Sequence, residues 1–285
     1  MNSNAVSIFP EQPNANSLER GLAMLFLIGR KPGGITHAEI GRMLGIPKST
    51  CSYILQRLVQ FGYITHEPRT GRYCIGLKIL ILAHDALREV GFRTVTEPTL
   101  YKLASKTGLA ASIGVLERGR VLIIDRVEGP EFIKDAVEMA GETNPTARLK
   151  VRRKYPSREQ RDIGREMPVA STALGKVLLA YLPAPQLQHF LDVMRMEKGQ
   201  GETFTRSKES LLLELDQIRK VGYSLADPRS SLDPAALSAP IFDAAGEIRA
   251  AVCVNGCPHL DAWKDVAELS QFVRTAGREI SKRFK

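Results

Sequence analysis

The sequence predicts an α+β chain: a winged helix-turn-helix, a linker helix, and a larger domain whose antiparallel sheet is flanked by helices. Three observations predict it. Two short amphipathic stretches meet at Gly45-Ile46-Pro47, and the second opens on Lys48-Ser49-Thr50. A strand–turn–strand pattern follows directly over 62–75. Beyond Gly108, short strand-like runs give way to helical periodicity and then return, so strands and helices are interleaved. A chain of 285 residues has length for two such cores.

The first element is a helix over 18–28, with Leu18, Leu22, Leu25 and Phe26 expected to cover a three-helix core. Thr36 followed three residues later by Glu39 is a capping box, each side chain able to satisfy an orphan backbone donor. Ile40, Met43 and Leu44 then share one face of a short helix. Gly45 can take the left-handed turn that ends it, and Pro47 cannot continue it.

From Lys48 the apolar set is Cys51, Ile54, Leu55, Leu58 and Val59, a buried stripe. The face left over carries Lys48, Ser49, Thr50, Ser52, Tyr53, Gln56 and Arg57, cationic and hydrogen-bonding groups of the kinds that meet phosphates and base edges. Taken alone these helices also fit an ordinary helical hairpin with a solvated face. The strand at 62–66, the turn at 67–71 and the strand at 72–75 favour a wing instead. Its Arg69 and Arg72 could reach a phosphate or the minor groove. Together with Thr36 at the head of the first helix, these form the candidate contact set for double-stranded DNA.

Composition bounds the class further. No run approaches the roughly 20 apolar residues of a bilayer span. The first 16 residues lack the charged and apolar regions of a signal peptide and read as a flexible arm, so a cytoplasmic protein is expected. The net charge of +9 is unevenly placed: residues 1–80 hold nine Lys/Arg against four Asp/Glu, and 141–167 hold eight against four. The remaining residues balance. A cationic region coinciding with an independent motif is the footprint that duplex phosphates require. Cys51, Cys74, Cys253 and Cys257 make no disulfide framework, and Cys253–His259 lacks the spacing of common zinc sites. No metal and no cofactor are expected.

The helix at 77–90 is too apolar to stand in solvent alone, and packing against its copy in a second subunit is the economical solution. A helix at 93–106 follows, then strands at 111–116, 121–127 and 132–139. Helices at 172–182, 185–194 and 207–221, strands at 223–225, 237–242 and 248–255, and a closing helix at 261–284 complete the order.

The stretches SLERGLAML, EIGRMLGIPKST, FGYITHEPRTGRYCIGLKIL, VLIIDRVEG, STALGKVLLAYLP, IRKVGYSLAD and LSAPIFDAAGEIRAAVCVNG resemble IclR-family transcriptional regulators, over about residues 17–284. The resemblance implies a winged helix-turn-helix over 17–76, a linker over 77–91 and a GAF-like effector-binding domain over 92–285. It implies homodimers, often paired into tetramers, that bind partly palindromic operators and respond to a small-molecule effector. Carried onto this chain, the effector contacts are Thr172, Ala173 and Leu174 at a helix start, Asp227 and Ala236 around a late loop, and Cys253 and Asn255 on the sheet.

The chain departs from the family pattern at several of these positions. Cys51, Ser52 and Tyr53 stand where Val, His or Tyr, and Arg are common, which implies an operator of its own. Ala226 and Ala236 replace an acid and a Cys, and Cys253 and Asn255 replace small hydroxyl residues. The implied pocket is roomier and less polar, for a larger carboxylate or an aromatic compound. The basic segment 141–167 is longer than the family's usual crossing, and reads as a solvated or disordered excursion, a lid or a tetramer contact.

An enzyme reading finds little. Ser171–Lys176 lacks the hydroxyl residue and the first glycine of a phosphate-binding loop, no G-x-S-x-G is present, and the five histidines are scattered. No catalytic residues are expected. A small-molecule sensor acting through protein partners, or an enzyme with an accessory DNA-binding domain, are the alternatives.

Overall fold

The computed structural model describes residues 16–89, 92–130, 163–196, 208–226 and 235–284. It divides into two compact units, Met1–Val90 and Gly91–Lys285.

The first unit runs α1 (Ser17–Gly29), β1 (Ile35–Thr36), α2 (His37–Leu44), α3 (Lys48–Gln60), β2 (Ile64–Glu67), β3 (Arg72–Ile75) and α4 (Ile79–Glu89). Asn16 caps α1: its side chain accepts from the Leu18 and Glu19 amides, and Glu19 Oε2 takes the Asn16 amide at 2.7 Å. The strands form one antiparallel sheet in the order β1-β3-β2. Strand β1, absent from the sequence reading, pairs Ile35 with Tyr73 and Thr36 with Arg72, which ties the α2 entrance to the wing. Met24, Ile28, Ile35, Ile40, Cys51, Ile54, Leu55 and Ile64 form the core.

The buried face of α1 differs from the expectation. Gly21, Met24 and Ile28 face inward and Leu25 is half-buried, whereas Leu18, Leu22 and Phe26 are 72, 42 and 48% exposed. Almost every position of this helix is apolar, so two stripes at helical spacing compete. The stripe that faces inward is the one that packs on α2 and α3, where Met24 and Ile28 join Ile40, Ile54 and Leu55 in one cluster. Met43 and Val59 are likewise exposed rather than part of the core stripes. Leu77, Leu80, Ile81 and Leu82, at and before the start of α4, are also exposed.

The second unit runs α5 (Phe92–Thr107), β4 (Ala110–Glu117), β5 (Arg120–Val127), β6 (Glu166–Pro168), α6 (Ala173–Ala180), α7 (Ala184–Met196), α8 (Lys208–Val221), β7 (Ser224–Ala226), β8 (Ala235–Phe242), β9 (Ile248–Gly256) and α9 (Val266–Ser281). Its six-stranded sheet has the order β6-β5-β4-β9-β8-β7, with every neighbouring pair antiparallel. Arg118 and Gly119, both at positive φ, make the tight turn between β4 and β5.

Two expectations change here. The closing helix is broken: a 3-10 turn at Asp261–Trp263 precedes Asp265, whose side chain accepts the Glu268 amide and caps α9. Residues 166 and 167, taken with the basic insertion, belong to strand β6 on the edge beside β5. The strand expected at 132–139 lies outside the described residues, as does most of 141–167.

One face of the sheet packs on α9, where Gly277 lies against the Pro240 carbonyl and Val252, and α5 packs on β4 and β5. The other face carries α6, which is buried along its whole length under α8. The segment entering α6 folds back so closely on the helix that a β-carbon on Gly175 would fall 1.9 Å from the Val169 carbonyl oxygen.

Candidate DNA-reading surface and effector site

Gly45, left-handed at φ 62°, ends α2, and Pro47 precedes the first turn of α3. No side chain caps α3 and no acidic residue stands in its first turn, so its positive end is not neutralised locally. Lys48, Ser49, Tyr53, Gln56 and Arg57 are exposed on it, and Thr50 and Ser52 are half-buried. Arg57 lies 5.5 Å from the Tyr53 ring centroid, and its Nη1 donates to Gln60 Oε1 at 2.9 Å. Those contacts hold Tyr53 and Arg57 together as one flat, cationic group.

Three of the sequence-predicted residues are engaged within the fold. Thr36 donates its hydroxyl to Glu39 Oε2 at 2.8 Å and its amide to the same oxygen at 2.9 Å. These bonds hold the Glu39 carboxyl below its ordinary range. Ser52 Oγ lies 2.9 Å from His37 Nε2 at the head of α2, so His37, which the sequence reading passed over, shares this surface. Arg72 is not a wing-tip side chain: its Nη1 donates to the Gly34 carbonyl at 2.7 Å, across the β1–β3 pairing. Arg69 remains exposed at the turn, with its backbone amide on Glu67 Oε1.

In the second unit, Thr172 is the N-cap of α6. Its hydroxyl accepts from the Gly175 amide at 3.1 Å and donates to the Pro168 carbonyl at 2.8 Å. Ala173 and Leu174 are buried, and Leu174 fills the space left by Gly114 of β4. Asp227 lies outside the described residues. Ala236 is half-buried against the core beneath α6. Burial pushes the Cys253 thiol up to about 11, and its sulfur donates to the Val254 carbonyl. Asn255 Oδ1 accepts from Arg126 Nη1 at 3.4 Å.

Strand register makes these residues part of a larger polar row. Arg126, Ser112, Cys253, Ser238 and Ser224 are lateral neighbours across β5, β4, β9, β8 and β7. Asn255 and Ala236 stand one step along on the same face. Ser224 and Ser238 are 2 and 0% exposed. Their hydroxyls find no hydrogen-bond acceptor or donor among the described residues beyond the Cys253 thiol beside Ser238. Arg126 Nε faces Glu128 Oε1 at 3.2 Å. Burial, together with the nearby charge of Arg126, lowers the affinity of the Arg165 guanidinium for its proton.

The face under α6 is therefore more polar than the sequence reading expected. That reading missed Arg126, Ser112, Ser224 and Ser238. The available signal was hydroxyl residues inside otherwise apolar strands, at alternating positions that share a face. A separate cleft of about 430 Å³, lined by Lys106, Thr107, His259 and Asp261 among others, contains none of the predicted effector residues.

Comparison with known proteins bears on both sites. The model described as the IclR helix-turn-helix domain matches residues 17–68, and that described as the bacterial transcriptional regulator IclR C-terminal matches residues 149–282. The HTH-type transcriptional regulator XynR of Escherichia coli is 27% identical over 277 residues, 95% of this chain and 97% of that protein. The transcriptional repressor IclR of Escherichia coli is 25% identical over 97% of this chain and 93% of its own. A crystal structure of an IclR homologue from Microbacterium hydrocarbonoxydans, in complex with 4-hydroxybenzoate, shares the fold. Its TM-score is 0.71 at 19% identity, covering 94% of this chain and 99% of that one.

Proposed function

Because the chain belongs to the IclR family of bacterial DNA-binding transcriptional regulators, we propose that α3 and the wing read a partly palindromic operator, and that a small carboxylate or aromatic metabolite in the second unit tunes that affinity. The observation that carries this reading is the outer face of α3. It is uncapped, free of acids in its first turn, and presents Lys48, Ser49, Tyr53, Gln56 and Arg57 to solvent. Lys48 and the helix start suit phosphates, Gln56 and Arg57 suit base edges, and Arg69 suits the neighbouring backbone or minor groove. Thr36 and Arg72 act by placing α2 and β3, and Ser52 acts together with His37.

On this reading residues 17–76 bind DNA, 77–91 link, and 92–285 form a GAF-like sensor. Exposed Leu18, Leu22 and Phe26 on α1, and Leu80, Ile81 and Leu82 on α4, favour pairing of two copies. A two-fold pair would set its reading helices about one DNA turn apart, or a multiple of it. On the same reading, pairs assemble further into tetramers through the second unit. The name of the Escherichia coli repressor supports repression as the mode. The bound 4-hydroxybenzoate of the structural relative supports a carboxylate near Thr172, Ala173, Leu174, Asp227, Ala236, Cys253 and Asn255.

The test is a mobility-shift titration of the full chain against its own promoter region, at two salt concentrations. Binding that weakens steeply with salt is expected. Absent or salt-insensitive binding overturns the reading.

A further inference from the structure

We propose that His37 is a positioning residue for base reading: its imidazole Nε2–H donates to Ser52 Oγ, and the Ser52 hydroxyl thereby turns its own proton towards the N7 of a purine in the major groove. The inference rests on the DNA-reading function proposed above and names what one part of that surface reads. N7 is an acceptor that adenine and guanine share and pyrimidines lack, so the pair selects a purine at one position.

The choice of partner made by Ser52 carries the argument. A serine or threonine inside a helix commonly donates to the carbonyl four residues back, as Thr107 does to Leu103 at 2.9 Å and Ser281 to Gly277 at 2.7 Å. Ser52 instead crosses to α2, where His37 Nε2 stands 2.9 Å from its oxygen. Among the described residues this is the one hydrogen bond of either side chain. Glu39, the acid in the first turn of α2, does not compete for the imidazole, because its carboxylate is taken up by Thr36.

The placement of both residues suits this role. His37 is the first residue of α2, directly after Thr36, whose side chain caps the helix and whose backbone pairs with Arg72 of β3, so the imidazole starts from a fixed point. Ser52 shares the outward face of α3 with the exposed Ser49 and Gln56, at helical spacing, and is itself half-buried. A serine hydroxyl has one proton and acceptor lone pairs. Once a lone pair takes the imidazole proton, the hydroxyl proton is free to point outward. The reverse arrangement would spend that proton inward and leave only an acceptor facing the DNA. A ring protonated on both nitrogens can only donate, so the field of the duplex phosphates favours the first arrangement.

Fluorescence anisotropy tests this with the full-length protein and a duplex cut from its own promoter region, in which purines are replaced one at a time by their 7-deaza analogues. At one purine position the replacement is expected to weaken the parent about tenfold. Ser52→Ala is expected to lose about as much on the natural duplex and to be indifferent to that replacement. His37→Ala is expected to show the same loss and the same indifference, at that position alone and with a melting temperature close to the parent's. His37→Gln, whose side-chain amide can donate to Ser52, is expected to restore the sensitivity. The proposal is overturned, with the DNA-reading function left standing, by any of four results: His37→Ala keeps the parent's sensitivity there, its loss spreads over all positions, His37→Gln behaves like His37→Ala, or Ser52→Ala responds to every replacement as the parent does. A parent that binds no promoter duplex overturns both.

Discussion

Thr96 Oγ1 donates to Asp125 Oδ2 at 2.8 Å, and both residues are buried. The second carboxylate oxygen accepts the Arg126 amide at 2.9 Å. This pair joins α5 to β5 beside a register shift, where Ile113 faces Asp125 but Gly114 faces Ile123, leaving Ile124 as the extra residue of a bulge. A β5 carboxylate facing α5 thus fixes the backbone from which Arg126 projects onto the opposite face.

Removing the donor isolates that oxygen. Thr96→Val keeps the shape of the side chain but leaves Asp125 Oδ2 without this bond in a buried setting. Unfolding in urea should show a loss of about 1–3 kcal/mol. A change within error would mean that solvent reaches the carboxylate and that the pair is not structural.

The two wing arginines should separate cleanly. Arg69 is exposed and has its side chain at the turn, so Arg69→Ala should lower operator affinity and reduce the salt slope by about one, at unchanged melting temperature. Arg72 holds the Gly34 carbonyl, so Arg72→Ala should instead lower the stability of the first unit by about 1 kcal/mol. Thermal melts of both variants beside mobility shifts at two salt concentrations check the pair. If Arg72→Ala melts like the parent, the bond to Gly34 contributes nothing.

What the sequence made legible follows from how local each signal is. The Thr36–Glu39 capping box and the left-handed Gly45 depend on a few neighbouring residues, and each was readable in place. The inward face of α1 was not, because Leu18, Leu22 and Phe26 satisfy helical spacing as well as Gly21, Met24 and Ile28 do; the choice is made by packing against α2 and α3, remote in sequence. The same limit governed the polar sheet face under α6. Cys253 and Asn255 could be placed by resemblance, but their juxtaposition with Arg126 and Ser238 depends on strand register across β5, β4, β9 and β8. Edge strand β6 and the two-residue β1 are too short for any periodicity to announce.

Glu39 gives a pH dependence with a definite sign. Hydrogen bonds from the Thr36 amide and hydroxyl lower its pKa below the ordinary 4.5. A depressed carboxylate stabilises the fold fully above its unfolded pKa, and that contribution is lost as pH falls through the folded value. Melting temperatures measured from pH 6 down to pH 3 should therefore fall more steeply for the parent than for Glu39→Gln. Parallel profiles would show that the capping box gains nothing from ionisation.

The pair joining α6 to α8 predicts an asymmetry between its two partners. Lys176 Nζ lies 2.5 Å from Glu214 Oε1, with the lysine side chain 7% and the glutamate 24% exposed. The two ions therefore differ in what truncation leaves behind. Lys176→Met leaves a carboxylate that water can still reach, at a cost of about 2 kcal/mol, low for a buried pair. Glu214→Leu leaves an ammonium inside α6, with almost no access to solvent, at a cost of about 3–4 kcal/mol. Replacing both with apolar groups removes the stranded charge, so the double variant should be more stable than Glu214→Leu alone, a coupling read directly from a double-mutant cycle in urea. Strictly additive losses, or a larger loss for Lys176→Met than for Glu214→Leu, would show that burial does not set the energetics of this pair.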